Sequence, residues 1–228
     1  MGRLIIVLAE SALELVPKPI MHHPSVVKYA RRRGKKPGEV LLDRCYHHFA
    51  MKGLPEAEKR GRPDIVHLTL LSLLGTPLNK RGLLECYVHT REDRVIAVDP
   101  RTRLPRSYDR FLGLIEQLFK HGAAPPDTHP LMKVKGLTLA QLIMDLKPSI
   151  VIGLSKMGPP KPLRDICEDV SRLSKVMFLI GGFPKGHFTD ETLRVTDSLY
   201  RIHRESLDSW VVASRIVYQY ELSQGILY

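Results

Sequence analysis

Apolar residues along this chain follow two alternating periods. Leu4-Ile5-Ile6-Val7-Leu8 is an unbroken, largely β-branched run, the pattern of a strand buried on both faces. Pro17, Pro19 and Pro24 make the next stretch irregular, and a helix is predicted from Ser25 into the basic cluster Arg31-Arg32-Arg33, Lys35, Lys36. After Pro37-Gly38, the spacing of Val40, Leu41, Cys45, His48 and Phe49 predicts a second helix from Glu39 to about Lys52. Pro63 and Gly75 bracket a predicted helix over Ile65 to Leu74, with proline near its start and glycine after its end. Leu83 to His89 and Arg94 to Val98 read as paired strands joined through Arg91-Glu92-Asp93. From Ser107 to His121 the apolar stripe Phe111, Leu114, Ile115, Leu118, Phe119 predicts an amphipathic helix that Gly122 stops. Ala123 to Pro130 carries three prolines and is expected to be a loop.

Beyond it, Thr138 and Gln141 form a capping box for a helix to Leu146. A strand is predicted at Ser149 to Leu154, a helix at Pro162 to Leu173, and a buried strand at Val176 to Ile180. Ser198 to Ile202 reads as a last strand and Leu207 to Leu222 as a last helix. Strands alternating with helices imply an α/β fold with a mainly parallel sheet. No repeat, low-complexity tract or linker interrupts the pattern, so one domain with an N-terminal elaboration is expected.

Charge narrows the choice of partner. Thirty-five Lys and Arg against 24 Asp and Glu leave a net charge of +11, which favours a polyanion through phosphate attraction and counterion release. Charge alone separates neither RNA from DNA nor either from an acidic membrane surface. Cys45, Cys86 and Cys167 are odd in number and lack CxxC spacing; they are expected to be free thiols in a reducing compartment, with no disulfide framework and no metal site. The Leu4–Leu8 run is too short for a secretory leader and Glu10 follows it, and nothing approaches the ~20 apolar residues of a membrane span. A soluble, cytoplasmic protein without membrane partners is expected.

Candidate chemistry concentrates in three places. The glycine cluster Gly181-Gly182-Phe183-Pro184-Lys185-Gly186 follows a buried strand, where an open α/β sheet binds ligands and where missing side chains let backbone groups approach them. His187 and Phe188 stand where a phosphate-binding Walker loop requires Lys and Ser or Thr, and GxGxxG spacing is absent. A tight strand-to-helix turn is the plain structural alternative. Gly153-Leu154-Ser155 and Arg201-Ile202-His203-Arg204-Glu205-Ser206 occupy similar strand ends. Three such ends could frame a pocket for a ligand with an adenine edge and a zwitterionic amino-acid tail. The second place is Arg103, Arg106 and Arg110, spaced three and four apart at the start of the Ser107 helix; three guanidiniums on one surface suit phosphates, a screened charged helix end being the alternative. In the third, Arg62-Pro63-Asp64, the carboxylate suits a helix first turn and also suits holding Arg62 in one orientation. His67 on that helix reads as a core or helix-face residue.

Together these segments resemble the pseudouridine N1-specific methyltransferases of small-subunit rRNA, in the SPOUT, or α/β-knot, superfamily. The resemblance rests on Leu4–Leu8, Arg62-Pro63-Asp64-Ile65-Val66-His67 with Leu70-Leu71, Thr76-Pro77-Leu78-Asn79-Lys80 with Gly82, Arg103-Leu104-Pro105-Arg106 with Arg110-Phe111, and Gly181 to Gly186. It implies a single domain over 1–228 with insertions at about 10–60 and 76–106, and a homodimer with a C-terminal deep trefoil knot. It also implies S-adenosyl-L-methionine bound by Leu154, Gly181, Gly186, Arg201, Ile202, His203, Arg204, Glu205 and Ser206. The implied RNA contacts are Arg62, Arg103, Arg106 and Arg110, with Arg62 and Asp64 as the catalytic pair. The expected partners are small-subunit rRNA and a pre-ribosomal particle, with no DNA, and the compact opening suggests a non-nucleolar form of the enzyme. A non-catalytic rRNA-binding assembly factor and a ribose 2′-O-methyltransferase of the same fold are the alternatives.

Overall fold

The computed structural model describes residues 2–126 and 129–226. In chain order it contains β1 (Arg3–Ser11), α1 (Pro24–Arg32), α2 (Arg44–His47), α3 (Pro63–Leu74), α4 (Pro77–Lys80), β2 (Leu84–Thr90), β3 (Arg94–Val98), α5 (Tyr108–His121) and β4 (Ala123–Ala124). There follow β5 (Met132–Gly136), α6 (Leu139–Leu146), β6 (Ile150–Leu154), α7 (Leu163–Val170), β7 (Lys175–Gly181), α8 (Asp190–Arg194), β8 (Ser198–Tyr200) and α9 (Ser209–Ser223). Among the described residues the strands form one eight-stranded sheet in the order β4-β5-β3-β2-β1-β7-β6-β8. From β2 to β8 neighbours run parallel, and β3, β5 and β4 extend the sheet in antiparallel fashion. The mainly parallel α/β fold is therefore as expected.

β1 lies inside the sheet, and its side chains alternate between two apolar layers. Leu4, Ile6 and Leu8 join Val66 and Leu70 of α3, Phe111 of α5, Ile166 of α7 and Ile216 of α9. Ile5, Val7 and Ala9 pack on the opposite face with Leu139 and Leu142 of α6 and with Phe188. Each buried aliphatic side chain contributes about 1.5–3 kcal/mol, so this strand is a firm reference for whatever leaves its ends. Val16, Val26, Tyr29, Leu42, Met51 and Leu54 form a separate small core in the N-terminal layer.

Two expectations change. The helix over 39–52 does not form. Instead Val16 N–H donates to the Val40 carbonyl and Leu42 N–H to the Glu14 carbonyl, both at 2.9 Å, making residues 40–42 an extended partner of 14–16. Asp43 then accepts from Cys45 N–H at 2.8 Å and opens α2, which ends at His47. The apolar spacing was real, but it serves an extended run followed by a capped single turn. Second, Ala123 and Ala124 pair with Met132 and Lys133 as a short strand instead of a loop; residues 127 and 128 of that stretch lie outside the described ones. The strands expected near 83–89 and 94–98 do form, as β2 and β3, with β2 directly against β1. Among the described residues no helix is long and apolar enough to cross a membrane.

Candidate active site

Parallel strands β6, β7 and β8 end at one edge of the sheet. Their exit loops enclose a cavity of about 370 Å³, within the usual range for small-molecule sites. Leu154, Gly181, Gly186, Arg201, Ile202, His203, Glu205 and Ser206 line it; Arg204 is exposed and lies off its wall. Ser155, Phe183, His187, Ser209 and Val212 complete the lining. The lining mixes apolar side chains such as Leu154, Ile180, Phe183 and Val212 with polar ones such as Ser155, His187, Arg201 and Ser206, as a ligand with both apolar and polar parts requires.

The loops are pinned by main-chain bonds. Ser155 N–H donates to the Tyr200 carbonyl at 2.9 Å, tying the β6 and β8 exits together. Gly182 N–H donates to the Ala9 carbonyl at 2.8 Å, and its own carbonyl accepts from Ala12 N–H at 2.9 Å. A Cβ at Gly182 would sit 2.8 Å from the Ser11 Cα, so the loop can cross the end of β1 only without a side chain there. Gly186 adopts φ +97, a conformation L side chains rarely take. The Ser209 hydroxyl donates to the Gly181 carbonyl at 2.6 Å, anchoring α9 to the glycine loop.

The arginines form a second group, and none of Arg62, Arg103, Arg106 and Arg110 lines the cavity. Arg62 Nε and Nη2 donate to the two Asp64 carboxylate oxygens at 2.8 and 2.7 Å. Those bonds raise the Arg62 pKa, keeping the guanidinium charged. Both side chains are about one-third exposed, 34% and 33%, and such pairs contribute only about 0–1 kcal/mol to stability. Orientation is therefore the larger consequence of the pairing. Arg103, Arg106 and Arg110 are exposed, and among the described residues none has an ion-pair partner. Arg106 precedes the N-cap Ser107 and Arg110 lies in the first turn of α5, so Arg106 is not on the helix as its spacing suggested. Positive charge at a helix N-terminus opposes the dipole. Both repulsion and dipole thus leave this cluster in want of anions.

Buried polar bonds hold this surface in shape. His67 Nε2–H donates to the Pro105 carbonyl at 2.7 Å and its ring stacks on Phe111 at 4.3 Å, joining α3 to the loop before Arg106. Tyr108 donates to Asp43 at 2.6 Å; burial first, and then Asp43, push its pKa far above the ordinary phenol range. Sequence reasoning passed over Asp43, whose place directly before a short helix was its only signal. Ala12 links the two groups: its N–H meets the Gly182 carbonyl at 2.9 Å, and its carbonyl accepts from Arg62 N–H at 3.2 Å.

A family model described as EMG1/NEP1 methyltransferase matches residues 6–221. The chain belongs to the EMG1/NEP1 methyltransferase family. Relatives within it include the ribosomal RNA small subunit methyltransferase Nep1 of Staphylothermus marinus, 46% identical over 213 residues, covering 93% of this chain and 92% of the relative. The protein of that name from Pyrobaculum aerophilum is 46% identical over 225 residues, covering 98% of this chain and 100% of its own. The fold resembles the crystal structure of Archaeoglobus fulgidus Nep1 bound to S-adenosylhomocysteine, with TM-score 0.87 and 38% identity over 99% of this chain and 100% of that one. The family resemblance drawn from the RPDIVH, RLPR and glycine-loop segments is borne out.

Proposed function

We propose that this EMG1/NEP1 family member is an S-adenosylmethionine-dependent methyltransferase of small-subunit rRNA, and that its acceptor atom is N1 of a pseudouridine. The observation that carries this reading is the cavity at three strand ends, joined through Ala12 to Arg62, whose guanidinium Asp64 holds at two points. The relatives' names support the rRNA substrate. The A. fulgidus complex supports the cofactor, because S-adenosylhomocysteine is what S-adenosylmethionine becomes after giving up its methyl group.

The residues present fit that cofactor. Leu154, Ile180, Ile202 and Val212 offer apolar walls to an adenine, while Ser155, Ser206 and the loop amides offer partners for its polar edge and amino-acid tail. Gly181, Gly186, Arg201, Ile202, His203, Glu205 and Ser206 would hold it. When bound, S-adenosylmethionine supplies an electrophilic methyl group on its sulfonium. Arg103, Arg106 and Arg110 grip phosphates and fix the RNA register. An unpaired target base leaves its loop at low cost. Pseudouridine is joined to its ribose through carbon, so N1 keeps a weakly acidic N–H that uridine lacks. Arg62, oriented by Asp64, sets a fixed positive charge toward the acceptor and favours the N1 anion. His67 is committed to Pro105 and Phe111, and takes no part in proton removal.

In the same reading the chain is a single domain with an N-terminal elaboration, forms a homodimer with a knotted C-terminal part, and acts on a pre-ribosomal particle in the cytoplasm. The test is labelled methyl transfer to two hairpins differing only in pseudouridine or uridine at one loop position. Transfer to the pseudouridine hairpin alone is expected. Transfer to both would point to a ribose hydroxyl, and transfer to neither to an assembly factor.

A further inference from the structure

Lys59 reaches from the N-terminal layer to the glycine loop. Its Nζ donates to the His187 carbonyl at 2.8 Å and lies 3.7 Å from both Glu10 Oε2 and Glu56 Oε1. The same ammonium sits 5.1 Å from the Phe183 ring centroid. Its Cε would be 2.7 Å from a Cβ on Gly186, so the lysine stem occupies the space that this glycine leaves. The side chain is only 12% exposed. Glu10 completes the clasp: its Oε1 accepts from Thr189 N–H at 2.7 Å and from the Thr189 hydroxyl at 3.0 Å. Glu10 holds φ 52, left-handed for a non-glycine residue, and such strain persists where surrounding contacts impose it.

Phe183, Gly186 and His187 all face the cavity, so Lys59 grips that wall from outside. Three residues on is Arg62, and the path between is fixed. Arg60 Nε donates to Glu14 at 2.9 Å, the Gly61 carbonyl accepts from Arg44 N–H at 2.9 Å, and Arg62 N–H meets the Ala12 carbonyl at 3.2 Å.

We infer that Lys59, with Glu10, is a positioning residue that couples the two halves of the site. The fixed 59–62 segment carries the contact of RNA with Arg62 to the cofactor loop held by Lys59, and each ligand tightens the other. This rests on the reading of the cavity as the cofactor site. Lys59→Met keeps the stem against Gly186 and Phe183 and removes the donor and charge, while Lys59→Arg restores both.

S-Adenosylhomocysteine is titrated calorimetrically into wild type, Lys59→Met and Lys59→Arg, each with and without saturating pseudouridine hairpin. Wild type is expected to bind, more tightly with the hairpin. Loss of one charged hydrogen bond should weaken binding to Lys59→Met about tenfold and abolish the hairpin effect. Lys59→Arg should recover both, and hairpin affinity without the nucleoside should be equal in all three. Wild-type affinity and an intact hairpin effect in Lys59→Met would overturn the inference while leaving the cofactor reading standing. No binding to wild type would overturn both. If Lys59→Met melts far below wild type, Glu10→Gln takes its place, with a smaller loss in the same direction expected and no loss counting against the inference.

Discussion

Arg62 and Asp64 show how little a good-looking ion pair needs to do for stability. At one-third exposure the pair is worth too little to account for its two-point geometry, whereas a guanidinium held in one orientation is what charge stabilisation of an anionic acceptor requires. Arg62→Ala should therefore abolish methyl transfer while S-adenosylhomocysteine affinity and melting temperature stay near wild type. Parallel loss of affinity and transfer would remove Arg62 from the acceptor side. His47 illustrates the opposite case, a buried histidine that ties the stability of the fold to pH. It is fully buried, its Nδ1 accepts from Asp43 N–H at 3.0 Å, and burial pushes its pKa down to about 4. The unfolded chain takes up a proton near the ordinary value of 6.5, so the native state loses stability as pH falls from there toward about 4, by on the order of 3 kcal/mol. Thermal melts across that window should slope less steeply for His47→Asn than for wild type. Equal slopes would show that His47 is not the group responsible.

At the scale of elements, what was legible depended on whether a segment's partners were periodic or merely present. β1, β6 and β7 announced themselves as apolar runs, and α6 through the reciprocal Thr138 and Gln141 bonds at 3.2 and 2.9 Å. β5 gave no such signal, because Lys133, Lys135 and Gly136 leave it exposed at an antiparallel margin where the pairing with β3 defines it. The 39–52 reading failed because apolar residues in a row served pairing with 14–16, a bond pattern that spacing along one segment does not encode. The glycine loop and the 201–206 loop were visible as strand ends. Lys59 and Glu10 were not, since their partners lie 128 and 179 positions away. The α5 start was legible in its arginines, and its placement carries a prediction. Arg106→Ala and Arg110→Ala should each weaken hairpin binding and reduce the slope of log affinity against log salt by about one. An unchanged slope would take that residue off the phosphate surface.

The whole molecule is organised around β1. It runs inside the parallel part of the sheet between β2 and β7, and its exit places Ala9 and Ala12 against Gly182 and Ala12 against Arg62. The excess of 35 basic over 24 acidic residues thus belongs with a frame that sets the proposed RNA surface beside a strand-end cavity. On the proposed function this cavity is the cofactor site. Hydrogen exchange read by mass spectrometry, with and without S-adenosylhomocysteine, tests it directly. Slowed exchange should be confined to residues 154–156, 181–188 and 201–209; protection elsewhere with these three loops unchanged, or no protection at all, would contradict the account.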